Sequence, residues 1–158
     1  NFPDYLFSED EIKTTMEIRN IRDEKFSGEI LYVDNQSDLC LVSSENLNLE
    51  DVPLAANYPV LGEKIYAIAD PKTITSKNVS LHFEGAFSGC DDKDLCYFTL
   101  PATSGSSGSI ILNKNTEIVG MIQMVPREFD SVSLGIGLRS IEDFLSEASE
   151  SIGVDVSK

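Results

Sequence analysis

The sequence predicts an all-β protein of barrel or sandwich type, with one α-helix near its carboxyl end. Apolar and polar residues alternate with a period of two through most of the 158-residue chain, as they do in half-buried strands. Turn-forming residues interrupt this alternation at short intervals, which is typical of antiparallel sheets. The period becomes helical only after residue 139. The length indicates a single domain, and neither an internal repeat nor a linker divides it.

Nine segments carry the strand pattern, and turn residues bound each of them. In chain order they cover residues 13–19, 28–33, 39–42, 64–69, 78–87, 95–100, 109–112, 117–125 and 132–138. The segment 39–42 is uniformly apolar and predicts a short buried strand. Polar residues together with Pro53 and Pro59 make 43–59 a long connection.

The helix is predicted over residues 139–150. Ser140 precedes the first apolar residue and is a good N-cap, and Asp143 occupies the N3 position of a capping box. The apolar face of this helix collects Ile141, Phe144, Leu145 and Ala148. We expect the helix to pack on the β-structure through this face and residues 149–158 to fray.

The charge balance excludes two classes of partner. Twenty-seven acidic residues against 12 basic ones give a net charge of −15. Nucleic acid and anionic membranes repel such a surface, so we expect neither as a partner. No apolar run reaches the ~18 residues that span a bilayer. Because the chain begins with Asn1, we expect a processed product or a fragment, and its cellular location is unknown from sequence.

Three cysteines allow at most one internal disulfide. Cys40 lies in an apolar run and is predicted to be a buried core thiol. Cys90 and Cys96 flank a five-residue polar loop and could face each other across a hairpin, which leaves a disulfide there as an alternative. Free thiols in a reducing compartment are the default expectation.

No metal or cofactor is expected. Neither a phosphate-binding glycine loop nor a zinc-ligand spacing occurs in the sequence. Asp91, Asp92 and Asp94 could bind calcium, but the glycine and the bidentate glutamate of an EF-hand loop are missing. This loop therefore favours a solvated turn.

The segment Gly105-Ser106-Ser107-Gly108 is the candidate for chemistry. By itself such a loop is typical of a flexible linker, but here it lies between two strand-like segments. Glycine permits the tight turn that exposes a serine hydroxyl and aims backbone N–H groups at a developing oxyanion. On this reasoning Ser107 is the nucleophile, and the amides of Gly105 and Ser107 form the oxyanion hole. Ser106 and Ser109 are alternatives that the spacing disfavours.

Four motifs in order make the chain resemble a trypsin-like serine protease of the chymotrypsin fold, in particular its Deg/HtrA-like branch. That branch carries a Gly-Asn-Ser-Gly loop followed by a hairpin, an Asp-Leu-Ala-Leu-Leu strand, a Gly-(Asp/Glu)-x-(Val/Ile)-x-Ala-Ile-Gly-x-Pro strand and a final Gly-Phe-Ala-Ile-Pro-Ser segment. The corresponding residues here are 105–120, 38–42, 62–71 and 135–140.

The resemblance implies an all-β fold of two six-stranded antiparallel β-barrels, the first incomplete in this chain, with a C-terminal helix. The protease domain would comprise the remainder of the first barrel (1–60), the second barrel (61–138) and the helix (139–150). The family uses an Asp–His–Ser triad, in which aspartate orients the imidazole that deprotonates the serine. Asp38 and Ser107 match the aspartate and the nucleophile. A solvated turn acid is the alternative interpretation of Asp38.

The resemblance further implies a polypeptide substrate. The backbone of Ile122, Gln123 and Met124 would bind it as an additional strand. Gly135 and Gly137 would border the primary specificity pocket, together with Gln123 and the stretch before residue 105.

The expected pocket carries no acid at its base, because Pro101 lies six residues before Ser107. An apolar or small substrate side chain is therefore favoured over Arg or Lys.

One part of the triad is missing. The only histidine, His82, lies in a strand of the expected second barrel and is best interpreted as an ordinary strand residue. Three of the fold's twelve strands are also lacking before residue 13. We expect a separate N-terminal segment to carry the catalytic histidine and to complete the first barrel, because open sheet edges need cover.

The leading hypothesis is thus a serine endopeptidase unit that is inactive by itself. A catalytically inactive pseudoprotease that binds or assembles is the alternative. An all-β structural domain without protease ancestry is a third possibility.

Overall fold

The computed structural model describes residues 15–69, 77–126, 129 and 131–156. Within these residues nine strands precede one helix, which agrees with the predicted class. The strands are β1 (Thr15–Arg19), β2 (Lys25–Asp34), β3 (Leu39–Ser43), β4 (Lys64–Ala69), β5 (Leu81–Cys90), β6 (Leu95–Thr99), β7 (Ile110–Leu112), β8 (Ile118–Met124) and β9 (Ser133–Ile136), and the helix is α1 (Leu138–Ile152). Residues 13–14, 70–71 and 157–158 of the predicted elements and motifs lie outside the described residues.

Six strands close into an antiparallel barrel in the order β4-β5-β6-β9-β8-β7. Its strands alternate inward and outward side chains, as β4 illustrates with buried Ile65, Ala67 and Ala69. The largest fully buried side chains fill the barrel interior: Phe98, Ile65, Leu100, Ile111, Ile122 and Val119. Burial of each such side chain stabilises the fold by about 1.5–3 kcal/mol, so the barrel is the main core of the molecule.

The first three strands form an open antiparallel sheet in the order β1-β2-β3. The register pairs Met16 with Gly28 and Val33 with Cys40, and cross-strand partners share a face. This face is uncovered within the described part of the chain: the exposed fractions are 43% for Met16 and 49% for Val33. Within the described residues the first β-unit is therefore an incomplete, three-stranded sheet, as predicted. The predicted strand at 39–42 is present as β3, but the prediction that it is buried is wrong, because three of its four side chains are only half-buried and Cys40 is exposed.

Helix α1 packs against both β-units. The Phe144 ring lies 5.6 Å from the Tyr32 ring of β2, and Ile141, Phe144 and Ala148 are buried as the helical periodicity predicted. The helix ends at Ile152 because Gly153 adopts a left-handed conformation (φ 71°) and its N–H donates to the Ser149 carbonyl. In the described ranges, no helix is long and apolar enough to cross a membrane.

The amino terminus of α1 is capped from outside the helix. Its N-cap position is Gly137, which has no side chain to offer, so the prediction of Ser140 as N-cap is wrong. Instead, Asp94 in the turn between β5 and β6 accepts a hydrogen bond of 2.9 Å from the Ser140 N–H. Its other carboxylate oxygen accepts from the Tyr58 hydroxyl and from Arg139 Nε.

Asp94 is buried (4% exposed), which corrects the prediction of a solvated turn at this position. Burial acts to raise the pKa of its carboxyl group, but the hydrogen bonds from Tyr58, Ser140 and Arg139 outweigh it and hold the pKa below its ordinary value. The ionised carboxylate also lies at the positive end of the helix dipole. This acid therefore joins the barrel to the helix.

The cysteines differ from the default expectation. Cys90 and Cys96 form a disulfide between paired positions of β5 and β6, so the hairpin alternative is correct and the expectation of free thiols there is wrong. Cys40 is free but exposed, so its prediction as a buried core thiol is wrong. It lies on the uncovered face of the open sheet, opposite Val33.

Candidate active site

The serine loop between β6 and β7 consists of two consecutive tight turns. The Ser106 N–H donates to the Thr103 carbonyl (2.9 Å), and the Ser109 N–H donates to the Ser106 carbonyl (3.1 Å). Gly105 and Gly108 each occupy the third position of one turn, with φ of 99° and 86°. A positive φ at this position favours glycine, which explains why the two glycines are three residues apart.

The three candidate serines of the loop differ in their exposure to solvent. Ser106 is fully buried, and its Oγ accepts a hydrogen bond from the Thr103 N–H (3.2 Å). Ser107 is exposed at the top of the loop, and Ser109 is half-buried. Of the three hydroxyl groups, that of Ser107 is therefore the most accessible to an external substrate.

Strand β8 holds the loop from one side. The Gly108 N–H donates to the Ile122 carbonyl (2.7 Å), and the Ile122 N–H donates to the Ser109 carbonyl (2.9 Å). Within the described part of the chain, the amides of Gly105 and Ser107 make no hydrogen bond. The two amides predicted to form the oxyanion hole therefore have no protein acceptor among the described residues.

Gln123 connects the serine loop with the turn that carries Asp38. Its carbonyl accepts a hydrogen bond of 2.9 Å from Ser107 Oγ. Its side-chain Nε2 donates to the carbonyl of Ser37 at 2.6 Å. Because Ser37 directly precedes Asp38, one residue of β8 bridges the two segments that carry the predicted nucleophile and the predicted acid. The sequence did not predict this side-chain bridge, since nothing in a strand pattern marks a glutamine for such a contact.

Asp38 itself is exposed and adopts a left-handed conformation (φ 57°) at the end of the turn between β2 and β3. The Asp34 carboxylate fixes this turn by accepting hydrogen bonds from the Ser37 hydroxyl and from the N–H groups of Gln36 and Ser37. These contacts, led by that of the Ser37 hydroxyl, lower the pKa of Asp34. The position of Asp38 is therefore set by backbone geometry and a neighbouring acid.

His82 is not part of this arrangement. It is exposed in β5, where it pairs with Ile68 of β4, and its imidazole forms no hydrogen bond or ion pair with any described residue. No contact brings it to Ser107 or to Asp38. The bridge through Gln123 therefore involves the segments of Ser107 and Asp38 but not His82.

The predicted substrate-binding residues fall into two groups. Ile122 is buried, whereas the Met124 side chain is 46% exposed at the end of β8. Gly135 and Gly137 are both buried in and just after β9. A Cβ at Gly137 would approach Tyr58 Oη within 2.5 Å, so close packing is sufficient to require glycine there.

The cluster of Cys90, Asp94 and Cys96 has metal-ligating atoms within 4.8 Å of one another. Both sulfur atoms are bonded in the disulfide, and both carboxylate oxygens of Asp94 accept hydrogen bonds from protein donors. These groups do not fit a metal centre.

Comparisons with known proteins place the fold. A family model described as a trypsin-like peptidase domain matches residues 7–121. The serine endoprotease from Yersinia pestis is 16% identical, with a TM-score of 0.73 over 88% of this chain and 49% of that one. A serine-to-alanine mutant of Rv3671c from M. tuberculosis, in an inactive form, is 11% identical, with a TM-score of 0.71 over 82% of this chain and 68% of that one. No curated protein sequence matches. The chain therefore spans about half the length of the Yersinia protein, and at these identities the structural matches show the fold alone.

Proposed function

Because this chain belongs to the family of trypsin-like peptidase domains, we propose that it is a serine endopeptidase unit that cleaves peptide bonds through an acyl-enzyme on Ser107. The single observation that carries the proposal is the pair of hydrogen bonds made by Gln123. They join the Ser107 hydroxyl to the turn that ends in Asp38. Nucleophile and orienting acid must share one cleft for triad chemistry.

In the proposed reaction, Ser107 Oγ attacks the carbonyl carbon of the scissile bond and gives its proton to a histidine imidazole. The N–H groups of Gly105 and Ser107 donate to the oxyanion that forms. The imidazolium then protonates the leaving amine, the C–N bond breaks, and the acyl group stays on Ser107. Water hydrolyses this ester with the same imidazole as base, while Asp38 orients the ring.

The histidine is proposed to come from an N-terminal segment that also completes the first barrel. The uncovered face of the open sheet supports this, since apolar side chains such as Met16 and Val33 are exposed on it. An additional β-segment over this face would bury them and pair an open edge. Without the segment, the chain is expected to be inactive, because loss of one triad member costs several orders of magnitude in rate.

The substrate is proposed to be a polypeptide that pairs with the backbone of Ile122, Gln123 and Met124 as an extra strand. Gly135 and Gly137 would border the primary pocket, which favours an apolar or small side chain. The domain would divide at the predicted boundaries, with the first barrel in 1–60, the second in 61–138 and the helix in 139–150.

A catalytically inactive pseudoprotease is the second candidate. It is favoured by the presence of a single histidine in 158 residues, which lies on an exposed face of β5. In that case the same cleft would bind peptides without cleaving them.

Labelling of the complete gene product with a fluorophosphonate, followed by peptide mass spectrometry, tests the proposal. We expect one adduct on Ser107, its loss in Ser107→Ala, and its retention in the matched control Ser109→Ala. No adduct would favour the pseudoprotease, and an adduct on another residue would refute the assigned nucleophile.

A further inference from the structure

A groove of about 870 Å³ lies between α1, the start of β8 and the segment 51–54. We call it the α1 groove. It borders β8 at Ile118. Ile118 precedes Gln123 by five residues, so the two residues lie about 17 Å apart along an extended strand. The α1 groove is therefore separate from the candidate cleft, and the reasoning below does not depend on the proposed function.

The wall of the α1 groove is largely apolar. Leu54, Ile118, Leu145 and Val156 line it and are half-buried. Val52 also lines it and is 42% exposed. Removal of this apolar surface from water by a bound ligand lowers the free energy of the complex and so favours binding.

One wall of the groove is the segment 51–54, whose outer backbone groups are unpaired within the described residues. Leu54 forms a single parallel bridge with Ile118 of β8, in which the Pro53 carbonyl accepts from the Ile118 N–H (2.7 Å) and the Ala55 N–H donates to the Ile118 carbonyl (2.9 Å). In an extended segment, the backbone groups of the alternate residues point the other way. Those residues are Val52 and Leu54, whose N–H and C=O groups make no hydrogen bond with any described residue. A peptide backbone could pair with them.

The rim of the groove is acidic and therefore favours a basic peptide. Asp51, Glu142 and Glu150 are exposed lining residues, and none of the described residues that line the groove is basic. A second copy of this chain, with a net charge of −15, is disfavoured as the occupant by repulsion. The chain's own residues 1–14 are disfavoured as well, because they contain four acids and one lysine.

We propose that the α1 groove binds an extended basic segment of a partner protein, in which apolar residues alternate with Lys or Arg. The segment adds as a strand to Val52 and Leu54. Its apolar side chains contact Leu145 and Val156, and its basic side chains face the acidic rim.

Fluorescence anisotropy with a labelled octapeptide of alternating lysine and valine tests this proposal on the Ser107→Ala chain, which removes any cleavage. The comparison peptide alternates lysine and glycine and has the same charge. We expect saturable binding of the valine peptide, about tenfold tighter than that of the glycine peptide because apolar area is buried. Equal binding of both peptides, or no binding of either, would overturn the proposal.

Two variants locate the site. Glu142→Gln/Glu150→Gln should weaken binding about tenfold, since each exposed ion pair contributes up to a factor of about five. The control Glu45→Gln/Asp92→Asn removes the same charge from exposed acids outside the groove and should bind as the parent does. Equal weakening by both pairs would show only non-specific attraction and would refute the site.

Val52→Pro removes one backbone donor of the open edge without changing the charge, and should also weaken binding. Thermal unfolding of each variant verifies that it is folded. Self-association of the parent chain that is lost in Val52→Pro, measured by sedimentation, would assign the groove to a second copy and overturn the proposal.

Discussion

The buried carboxylate of Asp94 should control the stability of the domain and its dependence on pH. It accepts hydrogen bonds from the Tyr58 hydroxyl, Arg139 Nε and the Ser140 N–H, and it caps α1. Hydrogen bonds to a charged group are worth about 1.5–3 kcal/mol each, and a helix cap about 1 kcal/mol. Asp94→Asn keeps one acceptor oxygen but presents an NH₂ group to protein donors. We therefore expect a loss of about 3 kcal/mol in the free energy of unfolding, or roughly 6–12 °C in Tm.

The sign of the pH effect follows from the lowered pKa of Asp94. The ionised carboxylate stabilises the folded state above the unfolded-state pKa of about 3.9, and this contribution is lost as the pH falls through the lower folded-state pKa. The difference in free energy of unfolding between the parent and Asp94→Asn should therefore be largest at neutral pH and should decrease under acid conditions.

Urea unfolding followed by circular dichroism over a pH series measures this difference. The matched control is Asp92→Asn, which removes the same charge from an exposed residue of the same turn and should change stability by less than about 0.5 kcal/mol. If Asp94→Asn behaves like Asp92→Asn at neutral pH, or if its deficit is the same at all pH values, the inferred role of Asp94 is refuted.

Three further predictions concern other contacts. Gln123→Ala removes the hydrogen bond to the Ser37 carbonyl and should lower the free energy of unfolding in urea by about 1 kcal/mol. It should also slow fluorophosphonate labelling of the complete gene product about fivefold. Unchanged labelling would contradict a positioning role for Gln123. Replacement of Cys90 and Cys96 by serine opens a short disulfide loop and should lower stability by about 2 kcal/mol, whereas reductant should then have no further effect on the thermal midpoint. His82→Ala should leave the rate of labelling unchanged, and a large decrease would show that His82 is the base after all.

Local sequence patterns predicted most of the secondary structure. The alternation in residues 64–69 predicted β4 with its observed bounds, because the side chains of a strand take opposite faces whatever its neighbours are. The glycines of the serine loop predicted a tight turn that holds Ser107, since glycine readily adopts a positive φ, and the structure has Ser107 in the second of two consecutive turns. Residues 39–42 mark the limit of this approach. Their composition indicated full burial, but three of the four side chains are only half-buried and Cys40 is exposed, because burial depends on the elements that pack against a strand.

The sequence by itself determined the all-β class, the terminal helix and the order of the candidate motifs, because these depend on periodicity and on residues close together in the chain. Only the tertiary structure decided which distant groups meet. Asp94 caps a helix residue 46 positions away, and Gln123 reaches a carbonyl 86 positions away. Such contacts depend on how strands close into a barrel and where a helix packs on it, and the free energy of that packing is shared among many residues rather than encoded at either partner.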